Sequence, residues 1–279
     1  METVPVGSVT RGTTNTNRLR RIDRWISEHP AFRRALDPFV VDLGYGASGV
    51  TTFELASRLA RARADVETLG LEIDAGRVLR ARGQLDRLAR GELPFPAGLA
   101  VAFDLGGFEV PTGGRRPAVI RAFNVLRQYD ESEVAEAWSR MTMRLAPGGL
   151  LVEGTCDELG RIASWVGIEA SEKDAAAASV PSTFTISLRL TGLDRPSVVA
   201  ERLPKVLIHR NVPGERVHDL LAALDRAWRV HAPLSVYGPQ QRWIRSVETL
   251  RDRGWPVRGN ARRWRLGELT LDWAAVAPH

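Results

Sequence analysis

Four stretches of this 279-residue chain have the residue types and spacing to hold a ligand. In Val40-Val41-Asp42-Leu43-Gly44-Tyr45-Gly46-Ala47 an apolar run ends in an acid and two closely spaced glycines. Leu55 and Leu59 then begin a helical pattern, so the layout is strand, glycine turn, helix. Glycine accepts positive φ and lets a ligand approach the backbone, while the helix start offers unpaired N–H groups. No lysine of the G-x-x-x-x-G-K-[ST] kind follows, which argues against a phosphate-cradling loop. Glu72 comes 28 residues after Gly44, at the end of a second strand-like run, Val66 to Asp74. A carboxylate has acceptors only and suits the two donors of a ribose diol. A third run, Leu99 to Leu105, ends in Asp104 and Leu105. A fourth, Pro117 to Leu126, leads through Asn124 to Tyr129.

These phrases resemble a known family. Val-Val-Asp-Leu-Gly-Tyr-Gly-Ala is similar to motif I (V-x-D-x-G-x-G) of class I S-adenosylmethionine-dependent methyltransferases. Gly70-Leu71-Glu72-Ile73-Asp74 resembles the acidic second strand of that family. Leu145-Ala146-Pro147-Gly148-Gly149-Leu150-Leu151 resembles the Leu-x-Pro-Gly-Gly-x-Leu phrase before its fifth strand. The resemblance spans residues 38–156. It implies an α/β fold with a Rossmann-like, seven-stranded, mostly parallel sheet flanked by helices, closed by an antiparallel pair, with an N-terminal helical arm. It implies S-adenosyl-L-methionine as cofactor, contacted by Asp42, Gly44, Tyr45, Gly46, Glu72, Asp104, Leu105 and Asn124. Glu72 would take the ribose, Asp104 the adenine amino group, and Asp74 would cap the next helix. Asn124 and Tyr129 would face the transferred methyl group as candidate catalytic residues.

The elements that must position these residues follow in order. Residues 1–10 are expected to be flexible. Thr13, Thr14, Asn15 and Asn17 then supply N-cap chemistry for a helix whose apolar stripe is Leu19, Ile22, Trp25 and Ile26. Two readings stand side by side for this arm. It is either an amphipathic helix packed on the core, or a polar lid in which Arg11, Thr13, Thr14, Asn17, Arg18 and Arg21 meet cofactor or substrate. The domain reading is an arm over 1–36 and a catalytic domain over 37–279, with a Trp/Arg-rich part at 232–279. Phe53 to Ala64 and residues 77–90 read as helices, and Ser132-Glu133 caps another. Phe184 to Leu190 and Pro204 to Arg210 read as strands, and Val217 to Val230 as a helix.

The sequence pI of 10.3 and net charge of +6 raise nucleic acid as a partner. Thirty-seven of the 39 basic residues are arginine, however, a pattern of GC-rich codon usage as much as of phosphate binding. The charge is uneven: residues 1–35 hold seven arginines against three acids, and residues 251–265 six against one. No run approaches the ~20 apolar residues that span a bilayer, and a cytoplasmic monomer or homodimer is expected. The single cysteine, Cys156, excludes an internal disulfide, and no metal-ligand cluster is visible, so metal-independent chemistry is expected.

The methyl acceptor reads as a small molecule, at oxygen or nitrogen, with RNA as the alternative. An Asn/Asp-Pro-Pro-Tyr/Phe phrase after strand four, the mark of nucleobase amino methylation, is absent. Thr155-Cys156 matches one mark of RNA cytosine-5 enzymes, but the Pro-Cys that should accompany it is replaced by Phe123-Asn124. Cys156 therefore reads as a packed residue, and His209 and His218 as structural. A further alternative is a non-catalytic binding protein that keeps the cofactor fold as a scaffold.

Overall fold

The computed structural model describes residues 5–171 and 180–278. The chain divides into two compact units. The first comprises Met1–Glu153, Glu158–Gly160 and Ile168–Val180; the second comprises Gly154–Asp157, Arg161–Gly167 and Pro181–His279. The division falls inside strands rather than near residue 36.

The first unit opens with α1 (Arg20–Glu28) and the short α2 (Pro30–Arg33). There follow β1 (Phe39–Leu43), α3 (Val50–Ala60), β2 (Glu67–Glu72), α4 (Ala75–Ala89), β3 (Val101–Leu105), β4 (Val119–Phe123), α5 (Glu131–Thr142) and the start of β5 (Leu150–Cys156). Strand order is β3-β2-β1-β4-β5, and β1–β2, β1–β4 and β2–β3 pair in parallel. All five residues of β1 and of β4 are buried, as parallel strands covered on both faces require. Consecutive strands step outward from β1 to β3, and the chain then returns to the other side of β1. In open α/β sheets such a reversal marks the usual ligand crevice, here beyond the carboxyl ends of β1 and β4.

Beneath the crevice lies an aromatic cluster. Tyr45, Phe53, Ala81, Leu88 and Phe103 are all buried together. Phe103 meets Tyr45 and Phe53 edge-on, with ring centroids 5.2 and 5.3 Å apart. Gly49 and Gly70 leave the room for that ring, since a Cβ on either would lie within 2.6 Å of Phe103.

The second unit holds β6 (Ile162–Glu169) in large part, β7 (Val180–Leu188), α6 (Lys205–Ile208), α7 (Arg216–Val230), α8 (Pro239–Asp252), β8 (Val257–Arg258), α9 (Ala261–Trp264) and β9 (Glu268–Asp272). Its strand order is β6-β7-β9-β8, with β9 antiparallel to both neighbours. The described residues thus form nine strands where the sequence reading expects seven. The extra ones are antiparallel pieces of this unit, including the two-residue β8, too short to leave a pattern. Pro204 to Arg210 is not a strand: Val206-Leu207-Ile208 looks β-like in composition, but only Leu207 is buried and the segment turns as α6. No described helix is long and apolar enough to cross a membrane.

Candidate functional site

The Gly44-Tyr45-Gly46 turn begins where β1 ends. Gly44 (φ 69°) and Gly46 (φ 88°) both adopt left-handed backbone. A side chain at Gly44 would strike Val125, 2.5 Å from the Cβ position. The Gly44 amide donates to the Leu71 carbonyl at 2.8 Å, tying the turn to the end of β2. There Glu72 is buried, 1% exposed, and its two oxygens accept from the amides of Gly46 (2.9 Å) and Ile73 (3.0 Å). Arg77, from the first turn of α4, approaches the same carboxylate at 3.4 Å. Asp74 caps α4 through the Arg77 amide at 2.8 Å, as read from the sequence.

The amides that would otherwise face a ligand are engaged within the protein. Gly46 N–H goes to Glu72, Ala47 N–H to the Gly12 carbonyl at 2.8 Å, and Gly49 N–H to Gln84 at 2.8 Å. With these amides already taken, the turn has few donors left for a phosphate.

Asp42 is placed differently from the cofactor contact expected of it. It stands opposite Arg121 in the β1–β4 register, and its carboxylate takes two bonds from that guanidinium (2.9 and 2.7 Å) plus one from Thr52 (2.8 Å). Arg121 also pairs with Asp23 of α1, which Arg58 of α3 contacts at 2.5 Å. Asp23, Asp42 and Arg121 are all buried. Burial pulls the Arg121 pKa down, but Asp42 and Asp23 together carry it above its ordinary value. The acid before the glycine turn thus braces the sheet and α1.

Tyr45 too points away from the crevice, into the aromatic cluster, and burial pushes its hydroxyl pKa up. Asp104 pairs with Arg82 at 2.8 Å, both more than half exposed, and accepts the Leu105 amide at 2.9 Å. Leu105 is 38% exposed beside it. Asn124 sits at the carboxyl end of β4 with φ 60°.

Residues 5–10, expected to be flexible, are instead tied down where described. The Val6 amide donates to Glu109 at 2.7 Å, and the Val6 carbonyl accepts from Phe108 at 2.9 Å. Ser8 bonds the Tyr129 hydroxyl through both its amide (2.5 Å) and its carbonyl (3.0 Å). The Thr10 carbonyl accepts from Arg77 at 2.6 Å, and the Arg11 amide donates to Gln128 at 2.9 Å. Buried Gly12 lies so close over Arg77 that a Cβ would be 2.5 Å from its Cζ. Thr14 Oγ1 donates to the Tyr45 carbonyl at 3.1 Å. Residues 6–14 therefore form a strap over the ends of β1, β2 and β4. Backbone amides and carbonyls make most of its contacts, whereas the lid reading gives that role to the side chains of Arg11, Thr13, Thr14, Asn17, Arg18 and Arg21.

The arginines of the arm have other uses. Arg18 is buried and reaches the Thr13 carbonyl at 2.8 Å, and Arg21 reaches the Gly160 carbonyl at 3.1 Å. Helix α1 has Leu19 at its N-cap position and no side-chain cap. Asn17, read as a cap, adopts φ 60°, donates its amide to Glu54 (2.7 Å) and accepts from Arg58 (2.7 Å). Capping of α5 likewise falls to Asp130, in a reciprocal box with Glu133, rather than to Ser132.

The ribose part of the expected cofactor fits what is present. Glu72 is a buried carboxylate with lone pairs left after two amide bonds, beside a glycine turn with no room for a side chain. Among the described residues, no group of three or more His, Cys, Asp and Glu side chains could hold a metal ion. Cys156 is fully buried, and His218 bonds Asn211 at 3.3 Å.

No family model and no curated protein matches this sequence. Solved structures that align with part of it include the CcbJ methyltransferase of Streptomyces caelestis, 20% identical with a TM-score of 0.37 over 60% of this chain and 77% of that one. An O-methyltransferase family protein of Burkholderia thailandensis is 18% identical with a TM-score of 0.36, over 50% of this chain and 39% of the other. An O-methyltransferase family 2 protein of Planctomyces limnophilus, in complex with apigenin, is 20% identical with a TM-score of 0.35, over 49% and 39%. This chain thus spans about two fifths of the length of the last two.

Proposed function

We propose that this chain is an S-adenosylmethionine-dependent methyltransferase acting on a small-molecule acceptor. The observation that carries the reading is Glu72, buried at the end of β2 with its carboxylate on the Gly46 amide. It offers acceptors to a ribose diol, and by occupying the Gly46 amide it disfavours the pyrophosphate that other glycine turns accept. When bound, S-adenosylmethionine supplies an electrophilic methyl group on a sulfonium. The chain's own part is alignment and exclusion of water. Gly44 and Gly46 bring the backbone close, Glu72 holds the ribose, and Asp104 and Leu105 flank the adenine. Asn124 presents its backbone at the crevice, and the strap closes the outside.

Tyr129 serves this scheme as an anchor for the strap rather than as a base. Its hydroxyl is engaged by Ser8, and burial raises its pKa, so it is a poor proton acceptor at neutral pH. RNA is the less favoured acceptor because at least half of the eight arginines in the Trp/Arg-rich part are engaged by neighbouring carboxylates or indoles. Arg263 pairs with Glu268 and Arg258 with Asp272, while Arg242 stacks on Trp228 at 3.8 Å and Arg251 on Trp264 at 5.5 Å.

Transfer of tritiated methyl from S-adenosylmethionine, with cell extract separated into small-molecule and RNA fractions, tests the reading. Label in the small-molecule fraction is expected. Label confined to RNA would overturn the acceptor class, and no label in any fraction would favour the scaffold reading.

A further inference from the structure

The second unit contains a cavity that the cofactor reading leaves unused. Its volume is about 400 Å³, within the roughly 300–1,000 Å³ of small-molecule sites. Arg161, Arg189 and Arg195 line it, against a single acid, Asp194. The three arginines are exposed at the rim, while Leu188 is buried and Ile162, Leu193 and Val198 are half-buried below them.

The backbone fixes this arrangement. The Arg189 amide donates to the Arg161 carbonyl at 2.7 Å, so two arginines flank one hydrogen bond where β6 begins and β7 ends. Asp157 Oδ1 accepts the amides of Arg161 (2.6 Å) and Ile162 (3.0 Å), holding the turn before β6. On the other wall the chain turns at Gly192, φ 75°, and the Asp194 carbonyl accepts from the Trp228 indole of α7 at 2.8 Å.

Like charges on paired backbone repel unless something compensates them. Several arginines elsewhere in this chain have carboxylate partners: Arg63 has Asp65, Arg115 has Asp37 and Glu67, Arg140 has Glu136. The guanidiniums of Arg161, Arg189 and Arg195 have no hydrogen bond or ion pair among the described residues. Each offers a planar fork of donors suited to two oxygens of one anion.

We propose that this cavity binds a small organic anion, its carboxylate or phosphate on Arg161, Arg189 and Arg195 and its apolar body against Ile162, Leu193 and Val198. The site stands whether or not the first unit binds S-adenosylmethionine.

Titration calorimetry of the full chain with hexanoate, hexyl phosphate, inorganic phosphate and hexanol tests it. Hexanoate or hexyl phosphate should bind, and the stronger of the two names the head group. Inorganic phosphate should bind at least about tenfold more weakly than the better ligand, and hexanol should not bind detectably. The double variant Arg161→Gln/Arg189→Gln should lose at least about tenfold in affinity with an unchanged thermal melt and unchanged S-adenosylmethionine affinity. The single variant Arg195→Gln, from the loop wall, should also weaken binding. Absence of binding by both hexyl anions at millimolar concentration, or equal binding to the double variant, would overturn the proposal. Equal affinity for inorganic and hexyl phosphate would overturn the role of the apolar wall.

Discussion

Asp42 and Arg121 face each other across the paired strands β1 and β4 and share two hydrogen bonds, both side chains buried. Removing the guanidinium would leave buried Asp42 with the Thr52 hydroxyl alone and buried Asp23 with Arg58 alone. Breaking such a buried set from one side costs about 3–5 kcal/mol. Arg121→Met should therefore lower the urea midpoint by that much stability at pH 7. A loss under about 1 kcal/mol would show that the network is not the brace it is taken to be.

Gly46 makes the second prediction. It sits at φ 88°, and a Cβ would fall 2.8 Å from Thr14 Oγ1 and 2.9 Å from the Gly12 carbonyl. Gly46→Ala should cost about 1–3 kcal/mol from backbone strain and push the strap away. Hydrogen exchange at residues 6–14 should accelerate. Unchanged exchange would mean that strap and turn are not in contact.

Much of the first unit is legible in the sequence because parallel, fully covered strands leave continuous apolar runs such as Phe39-Val40-Val41, and because Gly44, Gly46 and Asp74 sit where backbone geometry demands their types. Asp42 misleads for a physical reason. An acid before a glycine turn reads the same whether it meets a ligand or a guanidinium 79 positions later, and only the β1–β4 register reveals Arg121. The strap is illegible because it is held by main-chain groups, as at Val6, Ser8 and Thr10, to which side-chain chemistry is no guide. In the second unit, short antiparallel pieces and the four-residue helix Lys205–Ile208 carry no period long enough to classify.

The strap gives a third prediction. Arg77 contacts both Glu72 and the Thr10 carbonyl, so whatever settles Glu72 also settles the strap. Saturating S-adenosylmethionine should slow tryptic cleavage after Arg11 severalfold. Removing residues 1–12 should weaken cofactor binding by about tenfold, near 1.4 kcal/mol, while the remaining chain keeps its circular dichroism spectrum. Full affinity after truncation would show that the strap plays no part in binding.

Glu153 provides a test of pH dependence. It is wholly buried in β5, and neither oxygen has a hydrogen-bond partner of normal geometry. Burial pushes its carboxyl up to about 8, opposed weakly by the Trp138 indole. The folded state therefore keeps a proton that the unfolded chain gives up at the ordinary carboxylate value of about 4.3. Stability from this group is full below that value and falls by up to about 1.4 kcal/mol per pH unit until about pH 8. Glu153→Gln should flatten this descent in urea unfolding between pH 5 and 8, on the order of the ordinary and raised values. An identical slope in both proteins would contradict the assignment.

Glu72 at the Gly46 amide is the group on which cofactor binding most depends. Isothermal calorimetry of the full chain and of Glu72→Gln, against S-adenosylmethionine and against NAD, tests it directly. Loss of charge-assisted hydrogen bonds worth about 1.5–3 kcal/mol should weaken S-adenosylmethionine roughly 10- to 150-fold in the variant, and the native chain should prefer it to NAD. Equal affinity of the two proteins for S-adenosylmethionine, or tighter native binding of NAD, would contradict the account.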